Sequence, residues 1–219
     1  MGGTAGEDIS ELLVLFVQCA LYTVLRVRGV YPEESFRRRR IFGHPCWWSE
    51  SAEVEEYVTR LCDSLRPAIC RDRLRRVLIP MHAADGALQE RYTIEFPGDP
   101  QRLAEYGPEE VERALALVLT KLEMSPAFLN NSVAEAKGFD APAWSVLVET
   151  REVAVDAVKR EEALGPRWEA SAGRSGSRGP TADGMVLHPL KSLVAAAARP
   201  GEAAAPVVLN LYVEEQRSR

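Results

Sequence analysis

The stretch that most constrains this chain lies near its start: EDISELLVLFVQCALYTVLRVR, residues 7–28. Ile9, Leu12, Leu13, Phe16, Ala20, Val24 and Val27 recur at spacings of three and four, so a helix carries them on one face. Leu15, Val17, Leu21 and Leu25 widen that stripe until little polar surface is left. A helix of this length, roughly 30 Å at about 1.5 Å per residue, must be covered on several sides, and is expected at the centre of its domain. The apolar run of residues 12–25 falls short of the roughly 20 residues that span a bilayer. Glu7, Asp8 and Glu11 precede it without a lysine or arginine, the wrong flank for a secretory leader. No membrane partner is expected.

Gly29 ends the helix, and Tyr31-Pro32 forces an extended exit, because a residue before proline avoids helical angles. Four consecutive arginines, Arg37, Arg38, Arg39 and Arg40, then decorate a loop ahead of a short strand, HPCWWS. Neighbours in a strand point to opposite faces, so one of Trp47 and Trp48 is expected in the core and the other toward a partner surface. A second helix begins after Ser51, with Val54, Tyr57, Val58, Leu61 and Leu65 in register, and is expected to stop at Pro67. RLRRVLIPM (73–81) and ALQERYTIEF (87–96) flank Asp85-Gly86 as an antiparallel pair. GPEEVERALALVLTKL (107–122) has Pro108, Glu109 and Glu110 at its positive end and Lys121 at its negative end, which predicts a third helix. WSVLVETRE (144–152) reads as a buried strand.

Residues 165–184 are rich in Gly, Ser and Pro, and the MVLHPLKSLV and VVLNLYVEE that follow read as strands joined by an alanine-rich tip at 195–206. Three helices among several antiparallel strands make the class α+β, in a single domain of 219 residues.

A net charge of −5 argues against a surface built throughout for phosphate. The balance is uneven, however: residues 26–76 hold twelve Lys+Arg against eight Asp+Glu. Arg37–Arg40 with Arg73, Arg75 and Arg76 therefore form a candidate basic patch, as a solvated or partner-facing surface, as a nucleic-acid contact or as a nuclear address. Cys19, Cys46, Cys62 and Cys70 lack C-x-x-C spacing and His44, His82 and His188 lack H-x-x-x-H spacing, so no metal is expected and reduced thiols are. GRSGSRG (173–179) lacks the Lys-Ser/Thr of a phosphate loop and reads as a flexible segment. Glu149 and Glu152 read as solvated charges beside Arg151. No nucleophile, base and orienting group come together, so neither catalysis nor a cofactor is expected.

LRVRGVYPEESFRRRRIFGHP, WSVLVETRE and HPLKSLV…LNLYVEE occur in the order in which the HORMA-domain family carries similar motifs, over residues 8–216. The chain resembles that family, and within it most resembles the Rev-type (Mad-two-B-like) accessory subunits of DNA polymerase zeta, on VLVETRE and LNLYVEEQRSR. The Mad-type checkpoint proteins share the RGVYP turn and a tryptophan matching Trp168. The resemblance implies a HORMA domain: three helices packed on an antiparallel sheet, a core of about residues 8–163, and a C-terminal safety belt of about 164–214 that wraps an extended partner peptide.

The implied role is a non-catalytic adaptor in translesion DNA synthesis. A peptide of the polymerase zeta catalytic subunit would lie against Tyr57 and Trp168. The C-terminal domain of the Rev-type deoxycytidyl transferase would meet a second surface at Leu187, Pro189, Asn210 and Tyr212. Related adaptors serve cell-cycle and end-joining assemblies, and the alternative reading is a Mad-type spindle-checkpoint protein. The family's dimers rest on an arginine in the third helix; matching sets Ala116 there, with Arg113 nearest, which leaves homodimerisation open. Asn210 stands where a longer amide is common. The location implied is the nucleus, with the cytoplasm second.

Overall fold

The computed structural model describes residues 5–83, 85–96, 103, 106–127, 129, 143–151, 185–195 and 207–216, the strand 185–195 by its backbone alone. Helix α1 (Ala5–Val27) is the axis around which these elements pack. Leu13, Phe16, Ala20, Leu21, Val24 and Leu25 are fully buried among α2 (Ala52–Cys70), α3 (Pro108–Glu123) and the ribbon formed by β1 (Phe36–Ile41) and β2 (His44–Ser49). The segment Ile9–Val27, with a hydropathy of 1.6, is membrane-like by composition yet is the core helix. Its end is a Schellman turn. Gly29 takes φ +60°, its N–H reaches Arg26 O at 3.2 Å, and Val30 N–H reaches Leu25 O at 3.1 Å.

The main sheet runs β5 (Ala143–Trp144), β3 (Leu74–His82), β4 (Leu88–Glu95), β8 (Val207–Gln216), β7 (Met185–Ala195), and β6 (Leu147–Thr150) pairs with β3 on the same side as β5. All these pairings are antiparallel. Alternation decides which face is apolar. Val77, Ile79 and Met81, then Tyr92 and Ile94, then Leu209, Leu211 and Val213 form the buried inner face. The other face carries Arg76, Thr93, Glu95, Asn210 and Tyr212 in neighbouring register.

Three expectations fail here. Helix α2 runs through Pro67 to Cys70, because a proline in the last turns removes one hydrogen bond while Arg71 N–H still reaches Pro67 O at 3.3 Å. The four arginines are not on a loop: they are the middle of β1, paired Arg37 to Trp48, Arg38 to Trp47, Arg39 to Cys46 and Arg40 to Pro45. The hairpin turns through Phe42 (φ +54°) and Gly43 (φ +64°), and two residues at positive φ are what a two-residue turn requires. Residues 144–151 are not one buried strand. The strand is interrupted at Ser145 and Val146, where Ser145 N–H still reaches Pro80 O at 3.4 Å, and Leu147 is 48% exposed at the sheet margin.

Candidate functional site

Two ties fix the geometry at the end of α1. Arg28, its C-terminal cap, is 2% exposed and donates from its Nη2 to Glu90 at 2.7 Å and from its Nε to the Tyr92 hydroxyl at 2.6 Å. Glu90 is fully buried, and Tyr92 donates in turn to its second oxygen at 3.3 Å. Burial raises the Tyr92 phenol, so it keeps its proton and serves as a donor. Two buried charges would be costly apart; here each is satisfied by the other and by the phenol. The result is a rigid joint between α1 and β4.

The exit that this joint holds leads to Tyr31. Its hydroxyl accepts from the Trp144 indole N–H at 3.3 Å, and Trp144 meets Tyr57 of α2 edge to face, with centroids 5.6 Å apart. Three elements far apart in sequence thus build one aromatic cluster beside β5. Tyr57 is 46% exposed, so much of its ring is open. The outer edge of β5 and β6 pairs with no other strand among the described residues. An open edge offers N–H and C=O groups to an extended chain, and aromatic rings beside it offer side-chain contacts. Sequence reasoning found Tyr57 but missed Trp144 and Tyr31 as members of the site. The other expected peptide contact, Trp168, lies outside the described residues.

The second expected surface is on β7 and β8. Asn210 and Tyr212 point away from the buried Leu209, Leu211 and Val213. Asn210 Nδ2 donates to Glu95 at 3.1 Å, and Arg76 donates to the same carboxylate at 2.8 Å. Burial pushes the Glu95 carboxyl up, but the hydrogen bonds from Asn210 and Arg76 outweigh it and hold it below the usual carboxylate range. Burial raises the Tyr212 phenol. Pro189 pairs with Tyr212 and Leu187 with Glu214, so the four expected residues lie on adjacent strands in neighbouring register. Glu214, nearly buried, meets Arg91 of β4 at 2.5 Å. Glu149, expected to be solvated, is half-buried and bonded to Arg76 at 3.3 Å.

Three of the four arginines of β1 already face carboxylates. Arg37 meets Glu50 at 2.5 Å, Arg39 meets Glu55 at 3.7 Å, and Arg38 pairs with Glu123 of α3. Arg38 also lies 3.8 Å from the Trp47 ring centroid, with Arg26 at 4.8 Å. Trp48 is the core ring, tilted against Tyr22 with centroids 4.9 Å apart; Trp47, expected toward a partner, contacts these two guanidiniums instead. Arg76 is engaged by Glu95 and Glu149 on the main sheet. Cys19, Cys46 and Cys62 are buried free thiols and Cys70 is exposed. Ala116 is buried, while Arg113 is exposed on α3.

No family model matches the chain. Among solved structures it superimposes on a chain of the "Crystal Structure of Mitotic Checkpoint Complex" with a TM-score of 0.65 and 16% identity, covering 95% of this chain and 99% of that one. It superimposes on C. elegans HTP-2 bound to the HIM-3 closure motif with a TM-score of 0.61 and 14% identity, covering 96% and 90%. The chain therefore has the fold of the HORMA-domain proteins, three helices with an antiparallel sheet. In sequence it is similar to the polymerase zeta accessory subunits and their MAD2B counterparts. It is 23% identical over 207 residues to the DNA polymerase zeta processivity subunit of Arabidopsis thaliana, covering 94% of this chain and 86% of that protein. Identity is also 23% over 162 residues to the mitotic spindle assembly checkpoint protein MAD2B of Danio rerio, covering 73% and 74%.

Proposed function

We propose that this chain is a non-catalytic adaptor that captures an extended peptide of the polymerase zeta catalytic subunit on the outer edge of β5 and β6, with Tyr57, Trp144 and Trp168 gripping its side chains. The observation that carries this reading is the aromatic cluster beside an open strand edge: Tyr57 is 46% exposed over Trp144, and no strand covers that edge among the described residues. Main-chain bonds to the edge supply affinity for any extended segment, and the rings select which segment. The similarity to a polymerase zeta processivity subunit supports the choice of partner. The region 164–214 acts as the belt, its last strand held on β4.

The surface around Leu187, Pro189, Asn210 and Tyr212 receives the C-terminal domain of the Rev-type deoxycytidyl transferase. The two contacts then bridge an inserting to an extending polymerase in the nucleus, each raising the effective concentration of the other. Surface plasmon resonance of a catalytic-subunit peptide over the immobilised full chain tests this. Tyr57→Ala and Trp168→Ala should each speed dissociation about tenfold or more, the range of a buried aromatic anchor. Unchanged dissociation for both would remove the assigned pocket. Capture of mitotic regulators with no polymerase subunit in a pull-down would favour the checkpoint reading.

A further inference from the structure

Another open edge in the fold belongs to β1. It pairs with β2 on one side and with no other strand among the described residues on the other. The two-residue turn between Ile41 and His44 makes that pair hydrogen-bonded, and antiparallel pairs alternate from there. Ile41, Arg39 and Arg37 therefore spend their backbone groups on β2, while the N–H and C=O groups of Arg38 and Arg40 point outward. Pro45 stands opposite Arg40, at a position whose N–H is not needed by the ribbon, which agrees with this assignment.

The four central side chains of this edge, Arg37 to Arg40, are all cationic and all exposed, on both faces. The carboxylate partners of Arg37 and Arg39 are themselves open to solvent: Arg37 and Glu50 are 73% and 41% exposed, Arg39 and Glu55 53% and 39%. Exposed pairs of this kind hold with little net free energy, so another carboxylate can replace them. Arg40 has no carboxylate partner among the described residues. We propose that the outer edge of β1 docks an acidic, extended segment of a partner protein, which adds as a third strand to the β1–β2 ribbon. Its backbone bonds to Arg38 and Arg40, and its alternate carboxylates meet Arg37 and Arg39 on one face and Arg40 on the other. A phosphate backbone would use the same guanidiniums but could not complete the strand ladder.

The test uses the full chain and a fluorescent peptide of about ten residues, the length of a long strand, alternating glutamate with threonine or valine. A glutamine version of that peptide and a single-stranded oligonucleotide of similar length are the comparison probes. Anisotropy at low salt should show binding of the acidic peptide and not of the glutamine peptide. Hydrogen exchange should show new protection at the Arg38 and Arg40 amides, which only strand addition confers. Arg40→Pro removes an outward N–H and Arg40→Gln keeps it; the proline variant should bind about fivefold more weakly than the glutamine one, the effect of one hydrogen bond. The exchange measurement on the unaltered chain stands whether or not the proline variant folds. Binding of the oligonucleotide alone, acidic-peptide binding without protection of those two amides, or no acidic-peptide binding would each overturn the proposal.

Discussion

The open edge of β5 and β6 and that of β1 differ in almost everything except being edges. That of β5 and β6 is broken at Ser145 and Val146 and bordered by the rings of Tyr57 and Trp144 and by the exposed Leu147. That of β1 is continuous over Phe36–Ile41 and bordered by arginines. Backbone groups are the same at both, so the side chains alone decide what each can hold: apolar and aromatic contact at one, carboxylates at the other. The difference also bears on solubility. A charged edge repels a second copy of itself, whereas an apolar edge depends on interruption to avoid one.

The largest effect should come from the buried joint between α1 and β4. Glu90→Ala leaves Arg28 buried without its carboxylate and should lower stability by about 3–5 kcal/mol, read by urea unfolding. Replacing both partners, Arg28→Met with Glu90→Leu, should recover much of that loss. A double variant as unstable as the single would show that the pair itself, not the orphaned charge, carries the effect.

Trp47→Ala separates the edges. It removes the ring between Arg26 and Arg38 and the indole bond to Glu123 at 3.1 Å. It should cost about 1–2 kcal/mol and loosen β1 while leaving peptide capture at β5 and β6 unchanged. Loss of both would mean that the edges are mechanically coupled.

The smallest effect is in pH. The Glu95 carboxyl is held below its ordinary range by Asn210 and Arg76, so its contribution is present above the unfolded carboxylate value and fades as acid titrates it in the folded chain. Urea midpoints between about pH 7 and pH 3, spanning the ordinary carboxylate range, should fall less for Glu95→Gln than for the unaltered chain. Equal slopes would remove Glu95 from the tie between β4 and β8.

Much of the frame was legible from the sequence. The apolar run of α1 could only be central, Gly29 marked its end, and Pro108 with two glutamates opened α3, because each of these signals is local. What escaped is what depends on distant partners. Four arginines carry no strand pattern, and β1 exists because β2 and Trp47 hold it there. An arginine at a helix end reads as a complement to the helix dipole, so the burial of Arg28 against Glu90, 62 residues away, had no local sign. The Trp144 cluster draws on residues 31, 57 and 144, and Trp144 gave no hint that its neighbours would be Tyr57 and Tyr31. Nor does a helical period reveal that α2 tolerates Pro67.

The place of β8 between β4 and β7 has a consequence during synthesis. Residues joined across β4 and β8, such as Arg91 with Glu214 and Glu95 with Asn210, are 123 and 115 positions apart. At the usual rate of roughly 5–20 residues per second, β4 waits about 6–25 s for the strand that covers it. Through that interval the outward backbone groups of β4, already paired with β3 on its other side, lack the strand that will cover them.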